Sequence, residues 1–301
     1  MRMDSITFDQ YFAEKRELIN NHIADTIPTE NVPAILRDAI NYSLLAGGKR
    51  IRPILTIACY EAFGLDSDPI VLSACSVEML HTYSLIHDDL PIMDNDDMRR
   101  GKPTNHKVYG DGIALLAGDA LLTHAFGNLA KELSRLETVS RPRALQIIEE
   151  FAHYTGAAGM VGGQVVDFKG ESDLTGLAQV IYIHEHKTAD LVIFAVRLGA
   201  ILAGADERQM GALTNFAKKI GIAFQIQDDI LDIVGDPTKM GKTTGSDAAN
   251  EKLTYPFYKG VKQSQQDVIQ LINEAKKEIQ MIDIDPRRLE EIADLLIIRD
   301  Y

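Results

Sequence analysis

The sequence predicts an all-α chain folded as a single large helical bundle. Three observations carry this. Apolar residues recur near period 3.6 in almost every patterned segment. Segments that alternate apolar and polar residues between turns are essentially absent. The linkers are short, without low-complexity sequence or a composition break that would mark a second domain. With 301 residues, 46% of them hydrophobic, the chain can fill one sizeable core.

The elements follow in order. Phe8, Tyr11, Phe12, Lys15, Leu18 and Ile19 fit a first amphipathic helix. Pro28 and Pro33 punctuate the next loop, and Ala34 to Leu45 reads as a second helix. Gly47-Gly48 breaks the pattern before Lys49, Arg50 and Arg52, and Pro53 opens a third helix that stops at Gly64. Further helices fit Pro69 to Asp89, Ile113 to Leu133, Arg143 to Gly156, Thr175 to Glu185, Ala189 to Leu202, Glu207 to Val234, Gln263 to Met281 and Pro286 to Ile298.

Bulk properties exclude several classes. A net charge of −13 argues against nucleic acid or an anionic membrane surface as partner. Any anionic substrate must then be held by local cations, protein or metal. Cys59 and Cys75 lie in apolar helical stretches and read as reduced core residues of a cytoplasmic protein. The N-terminal segment lacks the apolar core of a signal peptide, and no run approaches the roughly eighteen apolar residues of a membrane span.

Chemistry concentrates in two acidic stretches. HTYSLIHDDLPIMDNDDMRRG, from His81 to Gly101, sets Asp88, Asp89, Asp94, Asp96 and Asp97 beside Arg99 and Arg100. FQIQDDILD, from Phe224 to Asp232, sets Asp228, Asp229 and Asp232 within one helical stretch. Asp228 and Asp232 share a face at i,i+4, a spacing at which like charges destabilise a bare helix. Asp94 can fold back toward the ion that Asp88 holds, because Pro91 ends or bends the helix between them. Magnesium suits such sites, being a hard cation that bridges carboxylates to substrate phosphates. Two Asp-rich helix ends facing each other would cage several Mg²⁺ ions around a diphosphate. Zinc does not suit them, since the cysteines are core-like and His184 and His186 are poorly aligned.

The cations lie near breaks. Lys49 and Arg52, three apart, can share a helix face just after the Gly-Gly break, where a ligand can approach. Arg99 and Arg100 follow the first acid cluster. Lys187-Thr188, Lys242 and Lys252 lie in polar loops or helix starts. Arginine forks match a diphosphate, and lysine supplies point charge.

Taken together, GGKRIRP (Gly47 to Pro53), the DDxxxxD of Asp88 to Asp94, RRGKPTNH (Arg99 to His106), GGQVVD (Gly162 to Asp167), HKT (His186 to Thr188) and FQIQDDILD resemble the trans-isoprenyl diphosphate synthase family, in that family's order and over most of the chain. The resemblance implies a helical bundle around a deep central cavity, usually a homodimer. It implies a prenyltransferase that joins an allylic diphosphate to isopentenyl diphosphate with three Mg²⁺ per site, or Mn²⁺ in their place. Asp88, Asp94 and Asp228 would be the main metal ligands, with Asp89, Asp229 and Asp232 supporting them. Lys49, Arg52, His81 and Arg100 would hold isopentenyl diphosphate. Arg99, Lys187, Thr188, Gln225, Lys242 and Lys252 would hold the allylic diphosphate. Asp88, Asp89, Asp94, Arg99, Lys187 and Asp228 would serve the ionisation itself. Gln164 and Asp167 would lie near the allylic group, and Arg50 has no clear role.

The resemblance also bears on product length. Tyr83, five residues before the first Asp, would be the large residue that stops elongation at fifteen carbons, with Ser84 beside it. The four-residue spacer of DDLPIMD resembles the bacterial farnesyl type. At about 100° per residue, however, Ser84 sits nearly under Asp88 while Tyr83 lies to one side. Three alternatives compete: a geranylgeranyl or longer-chain synthase, a terpene cyclase, and a non-catalytic partner subunit. FQIQDDILD and GGKRIRP argue against the cyclase, and the complete set of acids and cations argues against the subunit. The apolar, small-residue segment Ile113 to Ala130 is the expected place for a dimer interface.

Overall fold

The computed structural model describes residues 6–169, 174–234 and 254–297. These residues are helical almost throughout, as the periodicity requires, and they form two compact units. The first comprises Met1–Ile57 and Asp66–Ile148, the second Ala58–Leu65 and Glu149–Tyr301.

The first unit contains α1 (Phe8–Ile23), α2 (Ala34–Leu44), the start of α3 (Ile51–Glu61), α4 (Val71–Asp88), α5 (Asn105–Tyr109) and α6 (Asp111–Arg135). A capping box starts α1: the Thr7 hydroxyl accepts the Gln10 N–H and the Gln10 side chain accepts the Thr7 N–H. Its centre is α4, in which every residue from Val71 to Leu80 but one is buried. Ala114, Ala117, Gly118, Leu121, Ala125 and Leu129 recur every three or four residues along the buried side of α6, which packs on α4. The His87 ring fills the space over Gly118, where a Cβ would fall 2.1 Å from Nε2.

By length and hydropathy alone, two stretches do qualify as membrane spans, contrary to the expectation from consecutive apolar residues. They are Asp68–Asp88 and Asp111–Arg135, with mean hydropathies of 1.2 and 1.3. The first is 72% buried within the protein, as a core helix must be. The second is only 39% buried, because its other side leaves Leu115 and Leu116 exposed.

A small hairpin, absent from the sequence expectation, follows the first acid cluster. Met98–Arg99 (β1) pairs antiparallel with Lys102–Pro103 (β2). Arg100 and Gly101 form its two-residue turn, both with positive φ (52° and 74°), as a turn that follows the strand twist demands.

The second unit carries α8 (Met160–Lys169), α9 (Leu177–Ile183), α10 (Asp190–Ala203), α11 (Glu207–Val234), α12 (Tyr255–Lys259), α13 (Val261–Gln280) and α14 (Arg287–Ile297), together with the C-terminal part of α7 (Arg141–Thr155), from Glu149 onward. Most of α10 is buried, and its Phe194 stacks on Phe151 of α7 at 4.5 Å. Arg197 forks onto both oxygens of Glu150 at 2.7 Å. The expected break between two helices near Glu185 is instead one turn of π-helix, His184–Ala189, which joins α9 to α10. Neighbouring backbones pack closely on this turn. A Cβ at Gly163 of α8 would lie 2.2 Å from the Lys187 nitrogen, and one at Gly221 of α11 would lie 2.6 Å from the Ala189 Cβ.

Gly163→Ala and Gly221→Ala are therefore expected to destabilise the protein by roughly 1–3 kcal/mol each, the usual range for overpacking. Gly127→Ala, at a helical position with open space around it, should stabilise by up to about 1 kcal/mol. Urea denaturation of the three variants measures both signs.

Candidate active site

The first unit brings acids and cations to the end of α4. Asp88 is the last residue of the helix and is partly exposed. The chain then turns back, so that the Asp94 N–H donates to the Asp88 carbonyl at 2.9 Å. Asp94 thus stands beside the helix end, exposed, as the spacing around Pro91 anticipated. Asp89 does the opposite. Its carboxylate is buried, 3% exposed, and accepts Arg99 Nε at 2.7 Å, with Nη2 at 2.6 Å. Burial pushes the Asp89 carboxyl up from its ordinary value, and the Arg99 guanidinium opposes that. Arg99 is itself held above its ordinary value by Asp89, against the pull of its own burial, which favours the ionic form of the pair. Arg99 also reaches Asp96 at 3.3 Å.

Opposite this end lies the glycine loop. Lys49 is exposed and sits before α3, which begins at Ile51. The expectation that Lys49 and Arg52 share one helix face is therefore corrected: the helix starts only after Arg50, whose φ of 55° places it in the left-handed region. Arg52 Nη1 donates to His81 Nε2 at 3.3 Å, which leaves the His81 proton on Nδ1. Burial first, then the charges of Arg52, Arg100, Arg99 and Arg50, hold His81 well below its ordinary value of 6.5. Arg100 donates through Nη1 to the Gly47 carbonyl. Lys49, Arg52, His81 and Arg100 are thus carried by the loop, α3, α4 and the hairpin of one unit.

Tyr83 is buried, and its ring meets His87 edge-on at 5.5 Å. Burial, with Asp88 adding to it, pushes its hydroxyl up to about 12. Tyr83 and His87 thus share one face of α4, while Ser84, whose hydroxyl donates to the His81 carbonyl at 2.9 Å, lies on the Asp88 face.

In the second unit the π turn presents Lys187 and Thr188. Lys187 Nζ bonds the Asp167 carboxylate of α8 at 2.7 Å, which joins two predicted site residues from different motifs. The Thr188 hydroxyl donates to Gln225 Oε1 at 2.7 Å, and Gln225 Nε2 donates to Asp229 at 3.2 Å. The other Asp229 oxygen accepts the Tyr255 N–H at 3.0 Å and lies 3.1 Å from His184 Nε2. Asp229, like Asp89, is thus buried and engaged by protein groups, whereas its neighbour Asp228 is partly exposed. Asp232 is buried one turn further along α11. Gln164 lies on α8 with Asp167. Lys242 and Lys252 lie outside the described residues.

The sequence missed two groups here. His184 reads from the sequence only as a poor zinc ligand, and the π turn brings it to Asp229. Tyr255 contributes a backbone N–H, which no side-chain pattern could signal.

Among the described residues no three His, Cys, Asp or Glu side chains are gathered into a ready metal site. The donor chemistry fits magnesium nonetheless. Asp88, Asp94 and Asp228 offer hard oxygens at helix ends or faces open to solvent, and Mg²⁺ typically takes only one or two carboxylates and completes its octahedron with water and substrate phosphate.

A family model described as polyprenyl synthetase matches residues 33–285. The chain belongs to the polyprenyl synthetase family. It is 44% identical over 299 residues to a farnesyl diphosphate synthase of Geobacillus stearothermophilus, covering 99% of this chain and 100% of the relative. It is 45% identical to a geranylgeranyl diphosphate synthase of Cyanophora paradoxa, covering 96% of each. Among solved structures it resembles a geranyltransferase from Helicobacter pylori complexed with magnesium and isoprenyl diphosphate, with a TM-score of 0.82 and 32% identity over 97% of both chains. A polyprenyl synthetase is all-α, as the periodicity predicted, and this chain is a prenyltransferase of isoprenoid biosynthesis.

The His81 environment yields a pH prediction. In the unfolded chain His81 takes up a proton near pH 6.5, and in the folded protein it resists doing so. Below that pH the unfolded state binds more protons, so this group's contribution to stability falls as pH drops and recovers as pH rises through the ordinary value. Relative to His81→Gln, the wild-type protein should lose stability between pH 7.5 and 5.5 in urea titrations. A difference that does not change with pH would mean that His81 titrates normally.

Proposed function

We propose that this prenyltransferase condenses isopentenyl diphosphate with dimethylallyl and then geranyl diphosphate to give farnesyl diphosphate. One observation carries the reading. The unit that bears Asp88 and Asp94 also carries Lys49, Arg52, His81 and Arg100, with Arg52 on His81 and Arg100 on the Gly47 carbonyl, which supports a second anion subsite beside the acid cluster. A cyclase with one diphosphate substrate has no use for that subsite. Magnesium held by Asp88, Asp94 and Asp228, three ions per site and replaceable by manganese, would supply Lewis acidity to the diphosphate oxygens.

The chain's own groups do the rest. Arg99, Lys187 and Thr188, with Gln225, Lys242 and Lys252, offset charge that develops on the departing diphosphate. Asp89 and Asp229 serve as fixtures, the first aiming Arg99 and the second fastening Gln225 and the π turn. Asp167 orients Lys187, Asp232 supports Asp228, and Gln164 lies toward the allylic group. The allylic C–O bond breaks, and its electron pair leaves with diphosphate. The isopentenyl double bond attacks the allylic cation to form a C–C bond. The released diphosphate then takes the proton that restores a double bond. Water exclusion protects the cation from capture as an alcohol.

A fifteen-carbon product rests on buried Tyr83 beside the acid end of α4. A geranylgeranyl product is the second reading, favoured by the Cyanophora paradoxa relative and by the placement of Tyr83 against His87 rather than under Asp88. The proposed setting is a cytoplasmic homodimer of single-domain chains, with exposed Leu115 and Leu116 on α6 as interface candidates.

Purified protein with Mg²⁺, isopentenyl diphosphate and geranyl diphosphate should release diphosphate and yield the fifteen-carbon product by chromatography. Diphosphate release without an elongated product would overturn the reading. Asp88→Ala and Asp228→Ala should each lower turnover by about 10²-fold or more while helical circular dichroism is retained. Tyr83→Ala should lengthen the product, and an unchanged fifteen-carbon product would remove Tyr83 as the stop.

A further inference from the structure

Arg50 has no assigned part in the proposed substrate sites, and its surroundings show what it does. Its side chain is 1% exposed and fully engaged. Nη1 bonds Glu78 at 2.6 Å, Nε bonds the Asn20 side chain at 2.9 Å, and Nη2 bonds the Leu44 carbonyl at 2.7 Å. The Leu44 bond ties the end of α2 to the start of α3, which closes the loop Leu45 to Lys49 from within. The loop needs such a clamp, because Gly47 (φ 90°), Gly48 (φ 122°) and Arg50 (φ 55°) all sit in the left-handed region. For a residue with a Cβ that conformation persists only when its surroundings hold it.

Glu78 has a second partner. The same Oε1 that binds Arg50 lies 3.7 Å from Arg100 Nη2. The Arg100 guanidinium lies over Gly48, where a Cβ would stand 2.8 Å from Cζ, and it donates to the Gly47 carbonyl. Burial lowers the Arg100 pKa from its ordinary value, and Glu78 is the first charge that opposes this. The Glu78 side chain is 2% exposed and Arg100 is 23% exposed, so the carboxylate stays inside while the guanidinium keeps a face for a ligand.

We infer that Glu78, anchored by Arg50, is a positioning residue that holds Arg100 against the Gly47-Gly48 loop in the geometry that receives the isopentenyl diphosphate anion. The pairing does this without competing for the ligand, because the acid is buried. It also supplies the negative charge that keeps Arg50, Arg52 and Arg100 from repelling one another before the anion arrives. The inference rests on the assignment of Arg100 to the isopentenyl subsite.

The test is calorimetric titration of the full-length protein with isopentenyl diphosphate alone, together with KM values for both substrates. Arg100→Gln and Glu78→Gln should each weaken isopentenyl diphosphate binding about tenfold or more, one charged contact's worth. KM for geranyl diphosphate and the saturated rate should change far less. Because Glu78 acts through Arg100, the double variant should bind no more weakly than Arg100→Gln. If Glu78→Gln fails to fold, Arg50→Met/Glu78→Met removes both charges together and keeps the site filled, a replacement that buried pairs often tolerate. It should show the same selective loss of isopentenyl diphosphate affinity.

If Arg100→Gln weakens binding but the Glu78 variants bind as wild type, or if the losses multiply in the double variant, the inference is wrong and the proposed function stands. If Arg100→Gln itself binds as wild type, the subsite assignment fails and takes the inference with it.

Discussion

Repulsion between like charges is the constraint on which the rest of the structure depends. The chain must present carboxylates at the end of α4 and along α11, and cations around a glycine loop, and each group is unstable alone. The solution is the same each time: one member is turned inward to a protein partner. Asp89 goes to Arg99, Asp229 goes to His184, Gln225 and the Tyr255 N–H, and Arg50 goes to Glu78. The neighbours Asp88, Asp228 and Lys49 keep exposure to solvent. The inward pairs are costly to desolvate and are repaid only through good geometry. They therefore act less as sources of stability than as devices that fix direction.

Backbone proximity is the second requirement. Lys187 and Thr188 are aimed by a π turn, a geometry that concentrates at functional sites. The turn fits because Gly163 and Gly221 let α8 and α11 approach it more closely than any side chain would permit. The same logic places the Arg100 guanidinium over Gly48. Glycines in GGQVVD and GGKRIRP thus matter for the space above them as much as for their φ angles.

Much of this was legible in the sequence. Helical period fixed the class, and α11 starts at Glu207 as read and runs unbroken through Val234, the last residue described there, because nothing in that stretch interrupts the pattern. The acid and cation spacings nominated the candidate site residues, and Pro91 implied the backbone turn that brings the Asp94 N–H to the Asp88 carbonyl. Other features were not legible, for identifiable reasons. The π turn has no distinct apolar period, so it read as a gap between helices. The helix α8 carries Gly162 and Gly163 near its start, which hides it from propensity arguments. The Met98 to Pro103 hairpin depends on positive φ at Arg100, a conformation that arginine seldom signals. Arg50 looked like one more cation because its burial is set by Glu78, 28 residues away in sequence.

The central claim is a division of labour within each Asp-Asp pair, with the first acid for metal and the second for protein. It is tested most directly by an anomalous difference map from crystals grown with Mn²⁺ and inorganic diphosphate. The account predicts manganese peaks within about 2.2 Å of oxygens of Asp88, Asp94 and Asp228, with Asp89 still on Arg99 and Asp229 still on the Tyr255 N–H. Peaks bound directly by Asp89 or Asp229, with those protein contacts broken, would contradict it.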